Sequence, residues 1–163
     1  MGDYWDIDAI LADTQRVPAI FNDAVPGYGH LEGNGEPDLT AGVKVEIPFW
    51  YIATLAHTER IDLLFPSCYG RPVLMDLTAS PLAVNLAQLS PYYYKLAMLY
   101  LDLIVDDMLP SILEKTFRER MQQIARHGVA MGRGDTTQSL FLNSLESIET
   151  ERKSSLFWAR TLH

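Results

Sequence analysis

The stretch SPYYYKLAMLYLDLIVDD, residues 90–107, decides how the rest of the sequence is interpreted. Its helical part, 91–105, carries only two charged residues, Lys95 and Asp102. These residues lie two helical turns apart, so a helix here has one narrow polar stripe and is otherwise apolar or aromatic. A helix that is apolar all round is normally buried all round. The stretch therefore predicts either the centre of a helical bundle or a helix that another chain covers.

The sequence from residue 66 onward has the pattern of a helical bundle. Glycine becomes rarer, and apolar residues recur at spacings of three and four residues. On the third predicted helix, basic residues alternate with glutamates, and we expect a solvated face with internal ion pairs. Those basic residues are Lys115, Arg118, Arg120 and Arg126. The predicted helices cover 71–79, 91–105, 109–128 and 136–160.

The sequence before residue 66 has many turn-forming residues instead. Proline and glycine are frequent over 16–43, and the segments between them, VPAIF, YGHL and VKVEI, predict short strands. RIDLLF predicts another strand. Asp6 is expected to cap a short helix over Ile7–Ala12, and Pro48 to begin a second helix in IPFWYIATLAH.

These two patterns predict an α+β fold with two domains. A small β-rich N-terminal domain with one or two short helices is expected over residues 1–64. A mainly α-helical bundle domain is expected over residues 65–163. The change of pattern lies near residues 58–68, where the last predicted strand gives way to helices.

Composition excludes several classes of protein. Lys and Arg number 13 against 21 Asp and Glu, for a net charge of −8, so we expect DNA contact to be only indirect or weak. The single cysteine forms no intrachain disulfide, which is typical of the nucleus or cytosol. The N-terminus lacks the pattern of a signal peptide. No run reaches about 18 uncharged apolar residues, so we expect no membrane span.

The sequence offers little for catalysis. It has no glycine-rich phosphate loop, and its four histidines are too widely spaced for a structural zinc site, so we expect no cofactor, no metal and no catalytic residues. Carboxylates do cluster, at Asp6 and Asp8 and again at Asp102, Asp106 and Asp107. We interpret them as helix caps, although paired carboxylates also bind hard cations.

A second apolar helix, over 48–57, favours contact with other chains. Two helices of this kind are difficult to bury in a chain of 163 residues. Aromatic residues and methionine are enriched at protein–protein interfaces. We therefore predict that a set of such side chains contacts partner subunits. The set is Trp50, Tyr51, Tyr92, Tyr93, Tyr94, Met98 and Tyr100.

Five segments in this order resemble the third subunit family of the eukaryotic GINS complex. The resemblance covers nearly the whole chain. Its most specific parts are Asp6-Ile7-Asp8 with Ile10-Leu11, Val25-Pro26-Gly27 with Gly29, and the Pro48 and Trp50 pair. The five segments are DYWDIDAILAD (3–13), VPGYGHLEGN (25–34), KVEIPFWYIATLA (44–56), SPYYYKLA (90–97) and FLNSLESIETER (141–152).

The resemblance implies a subunit of a heterotetramer with three paralogous sister subunits. Each sister is expected to have a helical domain and a small β-rich domain, and in this family the small domain comes first. Similar proteins have no known catalytic activity. They join the MCM ring and a RecJ-like cofactor in the replicative helicase, the CMG helicase, which acts in the nucleus in initiation and elongation of chromosomal DNA replication.

Two other functions remain open from the residues alone. One is a stand-alone helical adaptor that presents the helix over 48–57 to passing partners. The other is a hydrolase that uses the clustered carboxylates with a divalent ion, and it predicts a higher melting temperature with magnesium or manganese.

Overall fold

The computed structural model describes residues 6–33, 35–129 and 141–161. For residues 127–129 and 155–161 it describes only the helical backbone. The chain divides by packing into two compact units, Met1–Tyr69 and Gly70–His163. The described residues combine several helices with a small antiparallel sheet, which confirms the predicted α+β class. The boundary predicted between residues 64 and 65 stays a prediction of where the two domains can be separated.

The first unit contains a three-stranded antiparallel sheet. The middle strand pairs with both neighbours, so that Ala19 lies opposite Val45 on one side and Leu63 on the other. Val17, Ala19 and Phe21 alternate along the middle strand, and all three are buried. The strands are β1 (Arg16–Phe21), β2 (Lys44–Pro48) and β3 (Ile61–Leu63), in the order β2–β1–β3.

Two helices accompany this sheet, as the sequence predicts. The first, α1 (Ile7–Asp13), begins where Asp6 Oδ1 accepts a hydrogen bond of 3.1 Å from the backbone N–H of Ala9. The second, α2 (Phe49–Ala56), follows β2 directly, so Pro48 lies just before the helix rather than in its first turn. Both helices pack together in the first unit.

The predicted strand YGHL is wrong. Gly29–Leu31 forms one turn of 3-10 helix inside the long connection between β1 and β2. The backbone N–H of Gly29 donates to the carbonyl oxygen of Pro37 at 3.2 Å, which brings two arms of the connection together. A Cβ at Gly29 would lie 1.9 Å from the carbonyl oxygen of Glu36, so only glycine fits this close approach.

The second unit is helical. Its longest helix packs against the first and the last helices of the unit, and the short second helix packs against the third. The second helix was not predicted. It starts where the side chain of Asn85 accepts from the backbone N–H of Gln88 at 3.1 Å. The helices whose bounds the structure describes in this unit are α3 (Arg71–Ala79), α4 (Leu86–Leu89), α5 (Tyr93–Leu101), α6 (Met108–Val129) and α7 (Ser147–Thr161).

Two predicted helices are shorter than expected. The helix predicted over 91–105 ends at Leu101, and Asp106 Oδ1 begins α6 by accepting from the backbone N–H of Met108 at 2.9 Å and of Leu109 at 2.7 Å. The apolar residues just before Asp106 therefore belong to a turn. The helix predicted over 136–160 is interrupted before Ser147, and its residues 136–140 lie outside the described residues.

The chain itself buries most of α5. Tyr93 and Tyr100 are both 0% exposed. Tyr94 is also buried, and its ring meets the ring of Phe117 on α6 edge-on at a centroid distance of 5.2 Å. The sequence allowed two interpretations of this stretch, the centre of a helical bundle or a helix that another chain covers. The tyrosines of α5 agree with the first of these.

A buried arginine holds the bundle together. Arg120 on α6 is 0% exposed, which corrects the expectation of a solvated face. Its Nε donates to Glu149 Oε1 at 2.7 Å, and its Nη2 donates to Glu149 Oε2 at 3.0 Å. Nη1 donates to the carbonyl oxygens of Pro81 and Val84, each at 3.0 Å. Nη2 also donates to the carbonyl oxygen of Ser144 at 3.0 Å.

This hydrogen bonding satisfies the guanidinium, which has five N–H donors in a fixed plane. It joins α6 to α7, to the connection after α3 and to the residues just before α7. The hydroxyl of Tyr94 adds a hydrogen bond of 3.1 Å to Glu149 Oε1. Burial, with the adjacent charge of Glu149, raises the pKa of the Tyr94 hydroxyl, so this hydroxyl stays a donor.

A second buried glutamate, Glu146, lies at the start of α7. Its Oε1 accepts from the backbone N–H of Ile148 at 2.8 Å and of Glu149 at 3.2 Å, and its own backbone N–H donates to Glu149 Oε2 at 3.3 Å. This is the reciprocal arrangement of a capping box. Burial, together with the nearby charge of Glu149, raises the pKa of the Glu146 carboxyl to about 7.

Replacing Arg120 by methionine is expected to lower the free energy of unfolding by about 3–5 kcal/mol, because it leaves the charge of Glu149 buried and unpaired. Urea unfolding followed by circular dichroism measures the change. The matched control on the same helix is Arg118→Met, which removes an exposed pair with Glu114 and is expected to cost less than about 1 kcal/mol. Equal losses in the two variants would contradict the role given to Arg120.

Replacing Glu146 by glutamine is expected to change how stability depends on pH. Because the folded pKa of Glu146 lies above its ordinary value of 4.5, the folded state binds this proton more tightly. The group therefore favours folding at low pH and loses that contribution as the pH rises from about 4.5 to about 7.

The stability of Glu146→Gln relative to the parent chain should therefore rise with pH over this window, by on the order of 2 kcal/mol. Urea unfolding at a series of pH values measures this difference. Glu46→Gln, at an exposed position on β2, serves as the control and should show no such trend. A parallel pH dependence for the parent chain and Glu146→Gln would show that the carboxyl is not perturbed.

Candidate interaction surface

The residues predicted to contact partners divide into buried and exposed groups. Tyr93, Tyr94 and Tyr100 belong to the core of the second unit. Trp50 and Met98 are exposed, with 51% and 54% of their surface accessible. The two other residues, Tyr51 and Tyr92, are half-buried. Three of the seven residues are therefore core residues, and as an interface the set stays a prediction.

Helix α2 explains why Trp50 points outward. Phe49 and Ile52 are 2% and 0% exposed and hold the helix in the core of the first unit. Trp50 follows Phe49 by one residue, about 100° around a helix, and therefore lies on another face. The ring of Trp50 meets the ring of Tyr51 edge-on at 5.6 Å. Trp50 therefore presents its ring to solvent beside the half-buried ring of Tyr51.

Helix α1 adds apolar surface to the first unit that the predicted set does not contain. Ile7, Ile10 and Leu11 are 69%, 52% and 42% exposed, whereas Ala12 is buried. Their spacing of three and four residues places them on one side of the helix. That spacing is visible in the sequence and is the signal that could have indicated a contact surface.

The second unit exposes apolar side chains at the turn between α5 and α6. Val105 is 97% exposed and Met108 is 71% exposed. Met98 lies in the last turn of α5, shortly before this turn. The predicted helix over 91–105 did not indicate this exposed apolar group, because a continuous helix would distribute the same residues around its axis.

A cavity of about 390 Å³ opens near the start of α7. Its walls come from the segment that leads into α5 and from the first two turns of α7. Tyr92, Glu146 and Glu151 are among the residues that line it, although Glu146 itself is almost fully buried. We call this space the α7 cavity.

The clustered carboxylates act as helix caps at two positions. Asp6 caps α1, and Asp106 caps α6. In residues 6–33, 35–129 and 141–161, no group of three or more His, Cys, Asp or Glu residues is arranged to hold a metal ion.

Burial raises the pKa of the Cys68 thiol to about 11, so this thiol is protonated at neutral pH. No helix in the same described ranges is long and apolar enough to cross a membrane.

Comparison with known proteins matches both units. The family model described as "PSF3 N-terminal domain" matches residues 5–57, and the model described as "GINS complex protein helical bundle domain" matches residues 71–157. A relative from Aspergillus fumigatus, named "DNA replication complex GINS protein psf3", is 36% identical over 160 residues, which cover 92% of this chain and 86% of the relative.

Two further relatives carry the same name. The one from Phaeosphaeria nodorum is 38% identical over 131 residues, covering 77% of this chain and 73% of the relative. The one from Schizosaccharomyces pombe is 35% identical over 147 residues, covering 90% of this chain and 86% of the relative. Both domain models match in order, and similarity at this level extends along most of the chain. The chain therefore belongs to the PSF3 family, the third-subunit family of GINS complex proteins.

Proposed function

We propose that this chain is a non-catalytic structural subunit of the GINS heterotetramer, an accessory of the MCM-containing replicative helicase in initiation and elongation of chromosomal DNA replication. The observation that carries the proposal is the match of both family domains in one chain, over residues 5–57 and 71–157. The relatives are named as proteins of a DNA replication complex, which supports the proposed role in DNA replication.

The surface chemistry supports assembly as the natural state. Ile7 and Ile10 on α1 and Trp50 on α2 leave apolar side chains open to water in the first unit. Large contiguous apolar surfaces on a folded chain are typical of sites that other proteins cover. Three paralogous sister subunits are the proposed occupants, and the MCM ring and a RecJ-like helicase cofactor are proposed as further partners.

The acidic composition supports an indirect role at DNA. A net charge of −8 opposes general binding of phosphate backbones. We therefore propose that DNA is contacted by other components of the helicase, and that this subunit acts in the nucleus through protein contacts. The catalytic chemistry is assigned to the MCM ring.

A stand-alone adaptor is the second candidate, since Trp50 is half exposed on a short helix that ends at Ala56. Such an adaptor would present this helix to passing partners while it remains a stable monomer. Co-expression distinguishes the two functions, because only the first requires the sister subunits for a well-behaved particle.

We expect soluble complex containing one copy of each chain when this protein is co-expressed with its three proposed sisters. Expressed alone, it is expected to fold but to associate with itself as its concentration rises, because its apolar surfaces remain uncovered. Sedimentation and native mass spectrometry measure both states. A stable monomer that does not bind the sister subunits would favour the adaptor and contradict the proposal.

Replacing Trp50 by alanine is expected to weaken the complex at least about tenfold, since tryptophan anchors dominate many interfaces. The unfolding midpoint of the isolated chain should change little, because the side chain is half exposed. Glu46→Gln, at an exposed position on β2 of the same unit, is the control and should leave the complex intact. Titration of the labelled subunit against the three sisters measures the affinities, and equal affinities would remove Trp50 from the interface.

A further inference from the structure

The turn between α5 and α6, residues 102–107, presents an apolar side chain almost entirely to water. Val105 is 97% exposed, and Met108, at the start of α6, is 71% exposed. Met98 is 54% exposed and lies one helical turn before Asp102, so these two side chains are neighbours. Single exposed apolar residues are ordinary, but a group of them around one turn is typical of a contact surface. We call Met98, Val105 and Met108 the turn surface.

Hydrogen bonds hold the turn in a fixed shape from both sides. Before it, the backbone N–H of Ile104 donates to the carbonyl oxygen of Tyr100 at 2.9 Å, and Tyr100 is fully buried. After it, Asp106 Oδ1 accepts from the backbone N–H of the buried Leu109 at 2.7 Å. Val105 therefore lies on a turn that is anchored at both ends. A pre-organised surface loses less conformational entropy on binding, which favours a specific contact.

The charge around the turn surface has one sign. Residues 96–113 contain the aspartates Asp102, Asp106 and Asp107 and no Lys, Arg or His. Within the described part of the chain, none of these carboxylates forms an ion pair. Asp106 caps α6, whereas Asp102 and Asp107 are exposed. Such a surface is complementary to an apolar hollow bordered by Lys or Arg, and like charges disfavour a second copy of the same surface.

We propose that the turn surface docks into an apolar hollow on a partner protein, with Lys or Arg side chains at the border of the hollow that pair with Asp102 and Asp107. The partner is another subunit of the assembly, and that identity rests on the proposed function. The chemistry required of the hollow does not, because it follows from this chain's own residues. The contact is one part of an interface, since a standard interface covers roughly 800 Å² on each partner.

The first test uses the free chain and a synthetic probe, an amphipathic helical peptide with leucines on one face and lysines along both borders. The control peptide has glutamates in place of the lysines. Methyl resonances of Val105 and Met108, followed by NMR in dilute solution, locate binding, and anisotropy of the labelled peptide measures affinity. The lysine peptide should shift both methyl resonances in a saturable way, and the glutamate peptide should bind at least about tenfold more weakly.

Substitutions at exposed positions test the apolar part of the contact. Val105→Ser combined with Met108→Ser, the turn variant, should weaken binding of the lysine peptide about tenfold. Met75→Ser is the matched control, because Met75 on α3 of the same unit is 68% exposed, and it should leave binding unchanged. The urea midpoint of unfolding should be the same in the parent chain and in both variants, because all three side chains are exposed.

The charges are tested separately. Asp102→Asn combined with Asp107→Asn removes two exposed charges, leaves the Asp106 cap in place and should weaken the lysine peptide severalfold. Asp76→Asn, at an exposed position on α3, is the control. Raising the ionic strength from about 0.1 M to about 1 M shortens the Debye length from about 10 Å to about 3 Å. The affinity of the parent chain should therefore fall with salt by a larger factor than that of the double variant.

The assembled complex separates this inference from the proposed function. The turn variant should bind the co-expressed sisters about tenfold more weakly than the parent chain, and Met75→Ser should not. If the parent chain assembles and the turn variant binds the sisters as tightly as Met75→Ser does, the inference fails and the proposed function stands. If the sisters do not assemble while the lysine peptide binds at the turn, the proposed function fails and the docking chemistry stands.

Two results with the peptides overturn the docking chemistry itself. One is equal binding of the lysine and glutamate peptides, which would remove the role of charge. The other is unchanged binding of the lysine peptide by the folded turn variant, which would place the contact elsewhere on the acidic surface of the chain.

Discussion

The guanidinium of Arg120 is the constraint on which the helical unit depends. It is buried on α6 and donates to Glu149 on α7, to Pro81 and Val84 after α3, and to Ser144 just before α7. Desolvating an ion pair costs several kcal/mol per charge, and only complete hydrogen bonding offsets that cost. The geometry leaves little freedom, because a planar donor fork fixes the direction of each acceptor. Three segments distant in sequence are therefore held in one arrangement.

This constraint decides which surfaces remain for partners. Tyr93 and Tyr100 of α5 are buried within the chain, and the hydroxyl of Tyr94 bonds to the same Glu149 that pairs with Arg120. The apolar surplus inferred from the tyrosine-rich stretch is consequently smaller than its composition indicates. The exposed apolar side chains lie elsewhere, on α1 and α2 of the first unit and at Val105 and Met108 of the second. Assembly with sister subunits is accordingly proposed from these surfaces and from the domain matches.

Local pattern predicted much of the fold. The spacing of apolar residues predicts α3 and α6, and Asp6 marks the start of α1, because these signals act within one turn of helix. The pattern failed where distant contacts decide. YGHL is no strand, since the hydrogen bond between Gly29 and Pro37 closes a turn there. Arg120 follows Leu113 by seven residues and precedes Ile124 by four, so its buried position is encoded in the spacing. Because arginine is usually exposed in folded proteins, the sequence nevertheless favoured a solvated position for this residue.

A double-mutant cycle between Arg120 and Glu149 tests the central claim most directly. The free energy of unfolding is measured in urea for the parent chain, Arg120→Met, Glu149→Gln and the double variant. If the buried pair holds the helical unit together, the two changes couple by at least about 2 kcal/mol, because each single variant leaves a polar group unsatisfied. Changes that add within about 0.5 kcal/mol would show that the two side chains act independently and would contradict the account.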